Sequence, residues 1–288
     1  MDWWEAVVLG LVQALTEYLP VSSSAHVRVI GPLLPHGSDP GAAFTAIIQL
    51  GTEAAVLLYF RHDIARIVRA WFGALAGRDG RDRAARLGSQ NADARLGWWV
   101  ILGTVPIVIL GVMFSDAIET NLRHLYLTAA SLAVFGVVLG VADRRGAKVR
   151  ELKELRGKDA VLLGFAQAAA LIPGVSRSGG TITMGLFLGL TREAAARYSF
   201  LLAIPAVIGS AGYELATNAS ELTVSGGPGF LATGIATVVS FALGYFVIIW
   251  FLKLVTHRSF LPFVVYRLVF AAVIVVLVMT GTVPALGG

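Results

Sequence analysis

Residues 3–26 read WWEAVVLGLVQALTEYLPVSSSAH, and the fold turns on this stretch. Its apolar run, Trp3 to Tyr18, suits lipid, yet at ~1.5 Å per residue it reaches only about 24 Å. A bilayer core is ~30 Å thick. The run then breaks at Pro20 and enters Ser22-Ser23-Ser24. A helix that stops short at proline in lipid is re-entrant, because irregular backbone at membrane depth survives only where protein or a water-filled cavity satisfies it. The run starts behind a single charge, Asp2, and carries Glu5 and Glu17, so it lacks the basic start of a signal peptide. It is expected to belong to the mature fold.

The rest of the chain agrees that lipid is the solvent. Of 288 residues 56% are hydrophobic and 14% charged, and mean hydropathy is +0.75, well outside soluble composition. The absence of cysteine excludes disulfides, thiolate metal sites and cysteine nucleophiles. Full-length apolar stretches run at about 44–60, 97–115, 124–141, 198–216, 229–252 and 262–280, each near the ~17–25 residues needed to cross. A second short run, 159–172, leads into Pro173-Gly-Val-Ser176-Arg177-Ser178-Gly-Gly-Thr181.

Gly10-Leu-Val-Gln13…Pro20-Val-Ser22-Ser-Ser24 resembles Gly164-Phe-Ala-Gln167…Pro173-Gly-Val-Ser176-Arg-Ser178 with one residue inserted. An odd number of crossings between the copies inverts them, which places broken helices and their site near the midplane. The sequence therefore predicts an all-α polytopic membrane protein: six transmembrane helices plus two re-entrant helical hairpins in an inverted repeat. It forms one domain over 1–288, with repeat one at about 1–141 and repeat two at about 158–280.

Loop 61–96 holds eight arginines, and loop 142–158 adds four arginines and three lysines. Arg192, Arg197, Lys253 and Arg258 mark further turns, whereas 31–43, 115–123, 217–228 and 281–288 contain only Arg123. Cytoplasmic loops collect Lys and Arg, so 61–96 and 142–158 are expected inside and both termini outside. The net charge of +5 is thus a topology signal, and no nucleic-acid partner is expected.

The two polar segments should meet. The first offers Gln13, Glu17, Ser22, Ser23, Ser24 and His26, and the second Ser176, Arg177, Ser178 and Thr181. An ionisable residue at depth costs at least ~2.5–3.5 kcal/mol, so Glu17 and Arg177 need partners or a task. Gln13 and Glu17 share one helix face and can present oxygens to a cation. Arg177 matches phosphate bidentately, and its serines with Gly174, Gly179 and Gly180 suit a loop that closes around an anion. A following helix would aim its dipole there. For each serine, helix capping is the bland alternative; for His26, a satisfied buried imidazole. His36, His62, His124 and His257 lack partners at ligand spacing and receive no metal role. Glu53, after Gln49-Leu-Gly-Thr, suits a cavity-facing or a structural role equally and stays outside the catalytic set.

Gln13-x-x-x-Glu17-x-x-Pro20-Val-Ser-Ser-x-x-His26 and Pro173-Gly-x-Ser-Arg-Ser-x-x-Thr181 resemble the two motifs of undecaprenyl-diphosphate phosphatases, and Ile48-Gln-Leu-Gly51 extends the resemblance. The resemblance implies hydrolysis of undecaprenyl diphosphate to undecaprenyl phosphate and phosphate, which recycles the lipid carrier of cell-wall synthesis. It also implies bacitracin resistance, a divalent cation such as Mg²⁺ or Ca²⁺, the bacterial plasma membrane, and a site opening outward. By position it places catalysis on Glu17, Ser23, His26 and Arg177. Phosphate binding falls on Ser22, Ser24, Gly174, Ser176, Ser178 and Thr181, and a cation on Glu17 with Gln13. Many members carry Glu where this chain has Gln13, so Glu17 is the sole acid of that motif. Ser23, His26 or an activated water could attack, with Ser23 preferred. Expected partners are the lipid substrate, membrane lipid and, as a candidate, a second copy of the chain. A lipid-phosphate flippase would need the same Arg and Ser donors, and flipping is the rival or added activity.

Overall fold

The computed structural model describes residues 1–35, 41–114, 118, 122, 124–217 and 228–286. Most of the outward segments read from sequence, with His36 and Arg123, lie outside the described residues. Within them the chain is α-helical: α1 (Trp3–Glu17), α2 (Ser23–Ile30), α3 (Gly41–Tyr59), α4 (Arg61–Leu75), α5 (Arg83–Arg86), α6 (Ala92–Met113), α7 (Leu125–Arg145), α8 (Gly157–Ala168), α9 (Arg177–Phe187), α10 (Arg192–Thr217), α11 (Phe230–His257) and α12 (Leu261–Met279).

Five of these, α6, α7, α10, α11 and α12, are long and apolar enough to cross a membrane. The remaining expected span, 44–60, falls on α3, which reaches spanning length and hydropathy only together with α4, and the two turn by 75° at Phe60. The stretch 61–96, read as a solvated loop, thus carries two helices of its own and the start of α6. Its arginines misled the reading, because α4 is amphipathic and buries Ile67 and Ala74 beneath its charged face. Large side chains such as Leu231, Phe246, Val112 and Met113 are exposed. A protein with such a surface is a multi-pass integral membrane protein, with its apolar atoms turned to lipid.

Both short runs break where expected. α1 ends at Glu17 and α2 begins at Ser23; α8 ends at Ala168, a single 3-10 turn follows, and α9 begins at Arg177. Ser22 and Ser176, the residues just before α2 and α9, both have φ of 71°. A non-glycine residue in that region is strained, and such strain gathers at functional sites.

The halves interlock. α1 and α3 pack on α11, whereas α8 packs on α6, and α7 on α12. Glycine permits two of these close approaches. A Cβ at Gly10 would lie 2.6 Å from the carbonyl oxygen of Ala236, and one at Gly164 would lie 2.6 Å from that of Gly103. Without a hydrophobic force between helices in lipid, such small-residue contacts carry the packing. At the Arg-rich end, ion pairs join helix ends: Arg197 to Asp63 at 2.7 Å, Arg192 to Asp143 at 2.6 Å and Arg150 to Asp159 at 2.6 Å.

Replacing Gly164 by Val should overpack the α6–α8 seam and cost about 1–3 kcal/mol. Unfolding in detergent measures it; an unchanged midpoint would show that the seam yields freely.

Candidate active site

The two breaks meet across about 160 residues of sequence at one carboxylate. Glu17, the last residue of α1, accepts a hydrogen bond from Gln13 Nε2 at 2.7 Å and from Ser23 Oγ at 2.5 Å, both on Oε2. Its Oε1 pairs with the Arg177 guanidinium at 2.5 Å. Gln13 reaches it because residues four apart on a helix are neighbours. Ser23 reaches it because the Tyr18–Ser22 break folds α2 back over the end of α1. The side chains of Glu17 and Arg177 are only 7% and 18% exposed. At that burial an unpaired charge would be costly, so each requires the other.

This centre lies at the floor of a cavity of about 600 Å³. Glu17, Ser22, Ser23, Ser24, Ser176 and Arg177 line it, together with Thr45 and Gln49 of α3. One flank is apolar, formed on α6 by Ile107, Val108, Gly111 and Val112. α2 and α9 both begin at this floor, so two helix N-termini face the same space, where an anion is favoured. Ser176 caps α9 by accepting from Gly179 N at 3.1 Å, but α2 has no side-chain cap. The Ser22 hydroxyl bonds Ser24 Oγ instead, at 3.3 Å.

Other expected site residues serve the scaffold. Ser178 donates to the Leu19 carbonyl at 3.1 Å and contacts Ser176 Oγ at 3.2 Å, joining one break to the other. Thr181 is buried and bonds the Arg177 carbonyl at 2.8 Å and Ser199 Oγ at 2.5 Å. Gly174 has φ of 93°, and its carbonyl accepts a hydrogen bond from Arg267 at 2.8 Å. His26 is buried behind α2: Nδ1 bonds the Ser22 carbonyl at 2.7 Å and Nε2 bonds the Tyr266 hydroxyl at 2.7 Å. Its ring stacks on Phe270 with centroids 4.0 Å apart. With Nδ1–H given to a carbonyl, Nε2 accepts from the tyrosine, and neither nitrogen is turned to the cavity floor.

Sequence reasoning passed over two charged residues, Arg28 and Arg267. Arg28 on α2 lines the cavity, as does Glu214 of α10, which the sequence places within or near a span. Arg267 on α12 is fully buried and donates to the Pro20 carbonyl at 2.8 Å, Gly174 at 2.8 Å, Val175 at 3.1 Å and Leu132 at 3.0 Å. One guanidinium thus satisfies carbonyls of both breaks. The signal was present, since a lone arginine inside an otherwise apolar span is a functional or structural marker by default.

Fold and site together define a multi-pass membrane protein whose interrupted helices build a polar, anion-accepting centre beside an apolar wall. The family model described as bacitracin resistance protein BacA matches residues 6–273. The chain belongs to that family. It is 57% identical over 288 residues to an undecaprenyl-diphosphatase 2 of Agrobacterium fabrum, covering 100% of this chain and 99% of the relative. It is 54% identical over 284 residues to an undecaprenyl-diphosphatase of Bifidobacterium adolescentis, covering 98% and 96% respectively. With that of Paenarthrobacter aurescens it shares 56% identity over 277 residues, covering 96% and 97%.

Two outcomes are expected. Arg177→Ala, which strands Glu17, should cost about 3–5 kcal/mol, and adding Glu17→Gln should recover part of it; additive losses in unfolding experiments would show the pair uncoupled. Arg267→Leu should cost more than about 3 kcal/mol, because several carbonyls lose their donor together. A folded, wild-type-stable Arg267→Leu protein would remove the clamp.

Proposed function

We propose that this chain hydrolyses undecaprenyl diphosphate to undecaprenyl phosphate and inorganic phosphate, recycling the lipid carrier of cell-wall synthesis and so conferring bacitracin resistance. One observation carries the reading: Glu17 holds both the Ser23 hydroxyl and the Arg177 guanidinium at the floor of a cavity with an apolar wall. A nucleophile, its base and an anion donor are therefore one bonded unit. The names of the relatives supply the substrate. A second apolar groove, of about 540 Å³ between α4, α6 and α10, shares Val108 with the cavity and gives a prenyl tail a path along α6.

The diphosphate enters among the two helix N-termini, and Arg177 moves from Glu17 towards the terminal phosphate. Charge neutralisation and positioning dominate phosphoryl transfer, and Arg177 supplies side-chain charge for both. Ser23 Oγ attacks the terminal phosphorus in line while Glu17 takes its proton. The Oγ–P bond forms, the bridging P–O bond breaks, and its electron pair stays on the lipid phosphate, which receives the proton from Glu17. Water then attacks the phosphoserine with Glu17 as base, and Oγ regains a proton as phosphate leaves. His26 holds the Ser22 carbonyl, and through it the start of α2, against Tyr266.

The donor set fits a divalent cation, Mg²⁺ or Ca²⁺, with Glu17 and Gln13 as the ligands that would hold it. The Gln13 Oε1 is buried without a hydrogen-bond partner, and hard cations take oxygen ligands. When bound it would supply positive charge for the phosphate oxygens. The Arg-rich helix ends support a cavity opening to the outer face of the plasma membrane, with both termini outward.

Purified protein should release phosphate from short and long polyprenyl diphosphates, and chelator should suppress it. Ser23→Ala should lower release by at least about 10³-fold and Arg177→Ala by about 10²–10³-fold. Near-normal release by Ser23→Ala would remove the covalent route, and by Arg177→Ala the site. A pure lipid carrier would release none.

A further inference from the structure

Glu53 lies on α3 four residues beyond Gln49, which itself lies four beyond Thr45, and Thr45 and Gln49 both line the cavity. Residues spaced by four share a helix face. Glu53 therefore continues the α3 face that carries Thr45 and Gln49, but lies behind the cavity lining and is 4% exposed. The Glu53 carboxyl is within electrostatic range of both Glu17 and Arg177. Its Oε1 has no hydrogen-bond partner. A purely structural carboxylate would have found one close at hand, yet the neighbouring Tyr18 hydroxyl donates to the Thr52 carbonyl instead, at 2.6 Å.

The Gln13 Oε1, fully buried, is open in the same way. Two orphaned oxygens on different helices thus belong to residues that interact with one carboxylate, Glu17, Gln13 by hydrogen bond and Glu53 electrostatically.

We propose that Glu53 is the second carboxylate of a divalent-cation site, with Glu17 and Gln13 supplying the other protein oxygens. The inference deepens the phosphatase reading and rests on it for the phosphate that completes the shell. Among the described residues no group of three or more His, Asp or Glu side chains is arranged to hold a metal. A pair of carboxylates completed by substrate phosphate is the arrangement Mg²⁺ usually takes.

The test is Mn²⁺ titration of the purified full-length protein by electron paramagnetic resonance, with Mg²⁺ competition and with inorganic phosphate present. Glu53→Gln should weaken binding at least about tenfold. The exchange variant, Gln13→Glu with Glu53→Gln, keeps two carboxylates and one amide around the ion and should restore wild-type affinity. Glu53→Asp, which keeps the charge but shortens its reach, should weaken binding less than Glu53→Gln. Unchanged affinity in Glu53→Gln, or an exchange variant that is folded yet still weak, overturns the proposal. If Glu53→Gln does not fold, unchanged affinity in Glu53→Asp overturns it. Phosphate release by the wild-type protein is measured in parallel: unchanged Mn²⁺ affinity in Glu53→Gln alongside normal wild-type release sinks this inference alone, leaving the phosphatase reading intact.

Discussion

A helix broken inside a bilayer releases carbonyls that no water can satisfy, and Arg267 answers that constraint for both breaks at once. Its guanidinium bonds Pro20 from the first and Gly174 and Val175 from the second, and its Nε bonds Leu132 of α7. An arginine suits this task because its five donors lie in one rigid fork that needs no carboxylate partner. With the breaks tied to a common point, Ser22 and Ser176 can be held at positive φ, and α2 and α9 can start beside each other. Everything polar in the cavity depends on that juxtaposition.

The second tie, Glu17 with Arg177, is of a different kind. Arg267 is enclosed and bonded to backbone, whereas Glu17 and Arg177 line the cavity and are bonded to each other and to Ser23. The pair keeps two charges compensated at depth. In the proposed reaction the substrate phosphate offers Arg177 an alternative partner, so the exchange leaves no charge bare. Ser178 and Thr181 stiffen the frame around it through bonds to Leu19, Arg177 and Ser199. Serine and threonine in such a motif thus divide between lining the cavity and holding its wall.

Much of this was legible in the residues. Short apolar runs ending in proline disclosed the breaks, since length against bilayer thickness is a one-dimensional test. Polar residues too costly for lipid disclosed Glu17, Ser23 and Arg177, and the internal similarity disclosed that the two segments belong together. Less legible was α4, whose arginines read as loop because charge alone does not report the apolar face beneath it. His26 sat in the right motif, but only contacts with Tyr266 and Phe270, some 240 residues away, reveal which way its ring points. Arg267 and Glu53 stood visible in their spans without a partner nearby in sequence to explain them.

The sequence by itself determined that the chain lives in lipid, that two helices are interrupted there, and which polar residues gather at the interruptions. These follow from local rules: hydropathy, length, proline and the cost of buried charge. Tertiary structure alone decided that one carboxylate serves Gln13, Ser23 and Arg177 together. It decided too that an arginine on the last helix fastens both breaks, and that Gln13 and Glu53 keep open oxygens near Glu17. Those facts depend on which way side chains point once helices far apart in the chain have packed, and no local rule contains that direction.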